Sequence, residues 1–121
     1  MSFAEDDLAL LRTAEEIDIE TQAPGGPPHR TTIWIMVEGS DTFVRSVRGD
    51  AGRWYREAMA NPAVAIHVGG KRLAATVIPA TDPDSIERTN RALREKYEGI
   101  PGYAPMLEPD VLDKTLRVEP A

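Results

Sequence analysis

Short segments with β-strand alternation, separated by tight turns, occupy the middle of the chain and restrict its fold. Residues 42–47, 63–69 and 72–79 alternate apolar side chains with a period of two, which is typical of strands half-buried in a sheet. The turns Gly39-Ser40-Asp41 and Gly69-Gly70 have the composition of β-hairpin connections. Because strands and helices do not alternate regularly, the pattern argues against a parallel Rossmann-type sheet and predicts an antiparallel one.

The strand predicted over residues 31–38 is apolar on both faces. One face carries Ile33, Ile35 and Val37, and the other carries Thr32, Trp34 and Met36. A strand of this kind is covered on both sides. In so small a protein the second cover would be a ligand or a second subunit, so we expect a homodimer.

Three helices are predicted from their boundary signals. The first spans 3–14, with Ser2 and Glu5 as a capping box; the second spans about 51–60 and ends at Asn61-Pro62. The third spans about 83–98, with Asp82 as its cap and Pro83 at the first helical position.

Further strands are predicted over 15–21 and 114–119, and loops over 22–29 and 99–113, which are rich in proline and glycine. These elements predict a mainly β (α+β) fold, in which six short strands close into a small antiparallel barrel. One helix is inserted after the third strand and the others flank the barrel. The length of 121 residues predicts a single domain, 1–121.

Composition excludes several functions. The chain has no cysteine and only two histidines, which argues against disulfides, a cysteine nucleophile and a metal site. Its net charge of -6 argues against general nucleic-acid binding. The acidic N-terminus and the lack of a run of ~18 apolar residues argue against a signal peptide and a membrane span. We therefore expect a cytoplasmic, bacterial protein.

The charge is unevenly distributed. Residues 1–28 carry seven acids and one base, whereas residues 29–72 carry seven bases and four acids. An arginine-rich segment within an acidic protein indicates a local anion site, or arginines that are solvated and paired with neighbouring acids.

The junction over residues 47–54 carries the strongest functional signal. It leaves a strand, turns through two glycines and enters a helix, whose first amides attract anions. Arg48 and Arg53 flank the turn, Arg45 precedes it, and Trp54 supplies a flat wall. The junction is therefore either a phosphate site or a helix capped by Asp50 with its arginines in solvent.

Other candidates for chemistry are weaker. His67 is a candidate proton donor, as are Tyr55 and Tyr103, but each pattern is more typical of surface or packing residues. Trp34 and Met36 either stack on a flat ring or fill a dimer interface. No residue is assigned as a catalyst from the sequence.

Four segments together resemble the flavin-binding split β-barrel superfamily, which includes pyridoxine phosphate oxidases and deazaflavin-dependent nitroreductases. The segments are 30–35, 43–49, 53–55 and 60–64, and the resemblance covers roughly residues 28–80. Within that superfamily the chain is most similar to a small family of unknown function.

The resemblance implies a six-stranded split barrel that dimerises, with a flavin mononucleotide (FMN) or deazaflavin cofactor at the interface. The strand beginning near Arg30 would contact the ring of the cofactor and its ribityl chain through Thr32 and Trp34. The phosphate would be held by five consecutive residues and by one further arginine. These are Arg45, Ser46, Val47, Arg48 and Gly49, together with Arg53. Trp54 would border the ring or brace the site.

Two functions remain open from the sequence. One is a flavin- or deazaflavin-dependent oxidoreductase acting on a small molecule. The other is a dimeric split-barrel protein that binds a cofactor without catalysis or binds none, which Asp50 at the anion site favours.

Overall fold

The computed structural model describes all residues, 1–121, and contains seven strands and three α-helices. The strands are β1 (Ile17–Gln22), β2 (Pro28–Ile33), β3 (Met36–Glu38), β4 (Asp41–Arg45), β5 (Ala63–Val68), β6 (Lys71–Pro79) and β7 (Thr115–Pro120). The α-helices are α1 (Glu5–Thr13), α2 (Arg53–Ala60) and α3 (Pro83–Tyr97). Three 3₁₀ helices span Gly49–Ala51, Ala104–Leu107 and Pro109–Lys114.

All seven strands form one antiparallel sheet in the order β2-β1-β5-β6-β7-β4-β3. The sheet curls, with β2 at one edge and β3 at the other. The predicted mainly β, antiparallel architecture with a helix inserted between hairpins is confirmed. The predicted number of six strands is wrong, because one predicted strand is two.

The predicted strand 31–38 breaks at Trp34 and Ile35. Ile33 pairs with β1, whereas Met36 pairs with β4 at the other edge of the sheet. At the break, the Ile35 N–H donates to the Tyr97 hydroxyl at 3.2 Å, and the Lys96 ammonium donates to the Ile35 carbonyl at 2.9 Å. Because side chains of α3 form hydrogen bonds with the N–H and carbonyl of Ile35, the chain can leave the β2 edge of the sheet and join the β3 edge without leaving these groups unpaired.

Two hydrophobic clusters lie on the two sides of the curled sheet. The larger one combines side chains from α1, α2 and most strands, including Leu11, Ile19 and Ile66. The smaller one lies under α3 and includes Met36 and Leu93, both fully buried. Within the same chain, α3 therefore supplies part of the second cover that residues 31–38 require.

Helix boundaries follow local signals unevenly. The Asp82 side chain accepts from the Ser85 N–H at 3.0 Å, so the predicted cap of α3 is confirmed. The predicted capping box at Ser2 is wrong, because α1 begins at Glu5 after Ala4 and no side chain caps it. Its first turn contains three acidic residues, which favour that end of the helix through the dipole.

Two predicted loops contain regular structure. Residues 22–29 give way to β2 at Pro28, at the sheet edge where proline is tolerated. Residues 99–113 form two 3₁₀ helices, and this segment reaches the candidate site. None of the helices combines the length and apolar character that crossing a bilayer requires.

Candidate functional site

A groove with two adjoining lobes lies between β2, the end of β4, α2 and the 99–107 segment. The basic lobe has a volume of about 400 Å³ and is lined by Thr31, Thr32, Ile33, Ser46, Val47, Arg48, Gly52, Arg53 and Trp54. The apolar lobe has a volume of about 240 Å³ and is lined by Glu16, Thr32, Ile33, Trp34, Arg45, Val47, Trp54, Gly102, Pro105 and Met106. Four residues line both lobes, so the two lobes adjoin.

The basic lobe contains two arginines without partners. Arg48 and Arg53 are exposed, and neither side chain forms a hydrogen bond or ion pair within the chain. Arg48 immediately precedes the 3₁₀ turn Gly49–Ala51, and Arg53 is the first residue of α2. Two guanidinium groups without hydrogen-bond partners give the lobe a positive charge, and no carboxylate is among the residues that line it.

The start of α2 is left uncapped. Gly52 occupies the cap position and no side chain accepts from the first amides of the helix. The alternative in which Asp50 caps α2 is not what the structure shows, since the Asp50 carboxylate is 80% exposed and lies 3.4 Å from the Lys114 ammonium. The first amides of α2 therefore remain available as donors beside Arg53.

The turn before α2 depends on two glycines. Gly49 has φ of +56°, in the left-handed region, and its carbonyl accepts from the Ser46 hydroxyl at 2.9 Å. A Cβ on Gly52 would lie 3.0 Å from the same hydroxyl oxygen. Ser46 is therefore buried as a brace of the turn, while its side chain also borders the basic lobe.

The apolar lobe is built around a stacked pair of rings. Trp34 packs face to face on Tyr97, with ring centroids 4.1 Å apart and planes within 3°. Gly102 approaches the edge of the Trp34 ring so closely that a Cβ there would lie 3.6 Å from it. With Trp54, Pro105 and Met106, these contacts give the lobe flat, rigid walls suited to a planar group.

Arg45 lines the apolar lobe and not the basic one. Only 2% of the residue is exposed, and burial lowers the pKa of its guanidinium to about 10. Its Nε donates to the Thr115 hydroxyl at 2.8 Å, and its Nη1 donates to the Asn90 side-chain oxygen at 2.7 Å and the Met106 carbonyl at 3.0 Å. These bonds also fix the 104–107 helix against the end of β4.

The groove brings together eight of the ten predicted binding residues. Arg30 lies outside it, on the outer face of the sheet, where it forms an ion pair with Asp18 at 3.0 Å. Gly49 shapes the turn without lining either lobe. Thr32 lines both lobes, and its hydroxyl donates to Asp18 at 2.8 Å.

The contribution of the 99–107 segment to the groove is not predicted from the sequence. Gly102, Pro105 and Met106 lie in a region predicted as loop, far along the chain from β2 and β4. The one local signal is that residues 99–105 are rich in proline and glycine. The position of this segment beside the groove depends on the hydrogen bond from Arg45 to the Met106 carbonyl. Glu16, which is exposed, was likewise missed.

The histidines and the remaining tyrosines do not line the groove. The His67 Nε2 lies 2.8 Å from Glu20, and the His29 Nδ1 lies 3.0 Å from Glu57. Tyr55 is buried against the barrel core, and burial raises its pKa. The sequence-based expectation that these residues are surface or packing residues fits their positions.

A family model establishes where the chain belongs. The model described as "Uncharacterized protein conserved in bacteria (DUF2255)" matches residues 7–118. The chain belongs to this family. No curated protein sequence matches it.

Solved structures show that this DUF2255 member has the fold of the flavin-binding split barrels. The heme storage protein HutZ from Vibrio cholerae superposes with a TM-score of 0.74 at 13% identity, over 100% of this chain and 92% of HutZ. An F420-H2 dependent reductase, FDR-A, gives 0.67 at 20% identity, over 87% and 94%. A putative pyridoxamine 5'-phosphate oxidase from Listeria innocua gives 0.64 at 14% identity, over 94% and 88%. The resemblance to this superfamily is thereby confirmed for the fold.

Proposed function

We propose that this DUF2255 protein binds FMN or a deazaflavin in the groove and is an oxidoreductase for a small-molecule substrate. The observation that carries the proposal is the adjacency of the two lobes. A lobe with two unpaired arginines adjoins a lobe with flat aromatic walls, which matches a ligand that has an anionic tail and a planar ring. The reductase and oxidase names among the structural neighbours support the same class of function.

The residues of the basic lobe fit a phosphate group. Arg48 and Arg53 carry free guanidinium donors, which bind phosphate in a bidentate manner. The uncapped amides at the start of α2 add donors and the positive end of the helix dipole. No carboxylate lines this lobe, so nothing in it repels an anion.

The residues of the apolar lobe fit a planar ring. Trp34 is held in place by its stack on Tyr97, and Trp54 is 6% exposed. When bound, a flavin or deazaflavin supplies hydride chemistry that amino-acid side chains lack. The chain's own residues hold the phosphate, orient the ring and exclude water from one side of it. Glu16 is the only carboxylate in the lobe and is exposed, so we assign no general acid or base.

Haem, the ligand class named for HutZ, fits this groove less well. Haem iron is held by histidine, cysteine, methionine or tyrosine side chains. The chain has no cysteine, and both histidines are engaged by carboxylates outside the groove. Of these residue types only Met106 lines a lobe, and it is buried.

The test is a titration of the purified protein with FMN and with a deazaflavin, followed by ligand fluorescence. We expect binding in the micromolar range or tighter for one of them. Arg48→Ala and Arg53→Ala each remove charge-assisted bonds worth ~1.5–3 kcal/mol, so each is expected to weaken binding by about 10- to 150-fold. Arg94→Ala, which removes an exposed and unbonded arginine on α3, is the matched control. Failure of both cofactors to bind at micromolar concentrations contradicts the proposal.

A non-catalytic binding protein is the second candidate, and the absence of a buried acid or base in the apolar lobe favours it. The two candidates separate by turnover. Bound cofactor is reduced chemically and then exposed to a panel of acceptors, while its absorption spectrum is followed. Reoxidation faster than that of the free cofactor supports the oxidoreductase, whereas a bound cofactor that no acceptor reoxidises supports storage or transport.

We retain the prediction of a homodimer as part of this proposal. Val47, which lines both lobes, is 46% exposed, so an apolar side chain at the groove is left uncovered by its own chain. One structural neighbour is described as a domain-swapped dimer. Light scattering is expected to give twice the monomer mass, and a monomer at every concentration contradicts this part.

A further inference from the structure

The positive charge of Arg45 is buried without a negative partner. Its guanidinium forms no ion pair, and its short hydrogen bonds end on a hydroxyl, an amide oxygen and a backbone carbonyl. The fourth contact, from Nη2 to the Ile86 carbonyl, is long at 3.5 Å. Nη2 therefore has donor capacity that the protein does not fully use.

A buried charge without a counter-ion is costly and uncommon. Charged groups inside proteins are normally paired, because desolvation otherwise penalises them by several kcal/mol. Burial alone lowers the pKa of Arg45, and no neighbouring carboxylate offsets it. Glu16 lines the same lobe but is exposed and does not bond to Arg45. The apolar lobe thus holds a fixed positive charge that an anionic ligand would neutralise.

The ring of a flavin changes charge when it reacts. Addition of a hydride brings one proton and two electrons to a neutral oxidised ring, so the product carries one negative charge. A positive group near the ring favours that product over the neutral form. The phosphate has the same charge before and after reduction, so Arg48 and Arg53 do not discriminate between the two states.

Resting on the proposed function, we infer that Arg45 makes the apolar lobe bind the reduced, anionic ring more tightly than the oxidised, neutral ring. Arg45 is then a specificity-determining residue for the redox state of the ligand. This role differs from the phosphate contact that its sequence position suggests.

Asn90 offers a direct test. Its side-chain oxygen accepts from Arg45 Nη1 at 2.7 Å, so Asn90→Asp places a carboxylate beside the guanidinium with almost no change in shape. The variant keeps every Arg45 bond and cancels its charge, whereas removal of Arg45 would disrupt three elements at once. Asn61→Asp adds the same charge outside the groove, although it also removes the bond from Asn61 Nδ2 to the Gln22 carbonyl, and it is the control for charge alone.

The dissociation constants of oxidised FMN and of dithionite-reduced FMN are measured under anaerobic conditions for the native protein and for Asn90→Asp, Asn61→Asp and Arg48→Ala. We expect the native protein and Asn61→Asp to prefer the reduced form. In Asn90→Asp that preference should fall at least tenfold, which lowers the midpoint potential of bound FMN by about 30 mV. Arg48→Ala should weaken both forms equally and leave the ratio unchanged.

The outcomes separate this inference from the proposed function. If FMN binds in both redox states and the ratio is the same in Asn90→Asp as in the native protein, the role of Arg45 is refuted while the proposed site stands. If only a deazaflavin binds, the same ratio is measured with that cofactor. If neither FMN nor a deazaflavin binds to the native protein in either redox state, the proposed function and this inference both fail. A melting temperature for Asn90→Asp at or above that of the native protein shows that the variant is folded and that the new ion pair forms.

Discussion

The hydroxyl of Tyr97 holds the break between β2 and β3, and its removal tests how the sheet changes edges. Tyr97 is fully buried, and its hydroxyl accepts the Ile35 N–H at 3.2 Å and donates to the Glu15 carbonyl at 2.6 Å. In Tyr97→Phe the Ile35 N–H loses its partner inside the protein, whereas the Ile35 carbonyl keeps Lys96. Glu15 is exposed, so water can replace the hydroxyl there.

One orphaned buried donor costs ~1–3 kcal/mol. The entropy of unfolding of a 121-residue chain makes 1 kcal/mol equal to about 4 °C in melting temperature, so we expect Tyr97→Phe to melt about 8 °C lower. The assay is thermal denaturation followed by circular dichroism. Tyr103→Phe is the control, because the Tyr103 hydroxyl forms no hydrogen bond within the chain, and it should melt within about 2 °C of the native protein. An equal effect of the two substitutions would refute the proposed anchoring of the break.

Three further predictions concern charge and backbone conformation. The hydrogen bond from Arg72, and then that from His67, lowers the pKa of Glu20 to about 2, so the free energy of unfolding should fall as pH drops from about 4.5 to about 2. Urea titrations of Glu20→Gln should show a flatter dependence, and an unchanged slope would contradict this ion pair. Burial lowers the pKa of Lys96 to about 8, so the folded protein binds fewer protons than the unfolded chain between about pH 8 and 10.5. Stability should therefore rise with pH over that interval in the native protein but not in Lys96→Met. Gly49→Ala forces a side chain into the left-handed region at φ +56° and should cost ~1–2 kcal/mol in thermal denaturation, more than Gly26→Ala, where φ is not positive.

Local signals account for the elements that the sequence predicts well. The cap and proline at 82–83 place the start of α3, and β3 joins β4 at the predicted turn Gly39-Ser40-Asp41, whose last residue already belongs to β4. The Asn61-Pro62 stop ends α2 at Ala60. Each of these depends on residues within four positions of the boundary, so no tertiary information is needed.

The break in strand 31–38 could not be predicted because its cause is distant. Periodicity continues smoothly through Trp34 and Ile35, yet the groups that satisfy the Ile35 backbone come from Lys96 and Tyr97, about 60 residues later. The same holds for the site. The cluster around residues 46–54 is local and was predicted, whereas Met106 reaches the groove through a bond to Arg45 that spans 61 positions.

The position of β7 between β6 and β4 has a consequence for the order of folding. The hairpin of β3 and β4 pairs with the rest of the sheet only through β7, and the bond from Arg45 to Thr115 closes a loop of 70 positions. An isolated hairpin is marginally stable in water. Closing a long loop costs conformational entropy, which slows folding. The β3–β4 hairpin therefore becomes protected only after β7 has docked on β6. Pulsed hydrogen exchange during refolding should show that the amides of β1, β5 and β6 become protected first. The amides of β4 and β7 should become protected together in a later, slower phase.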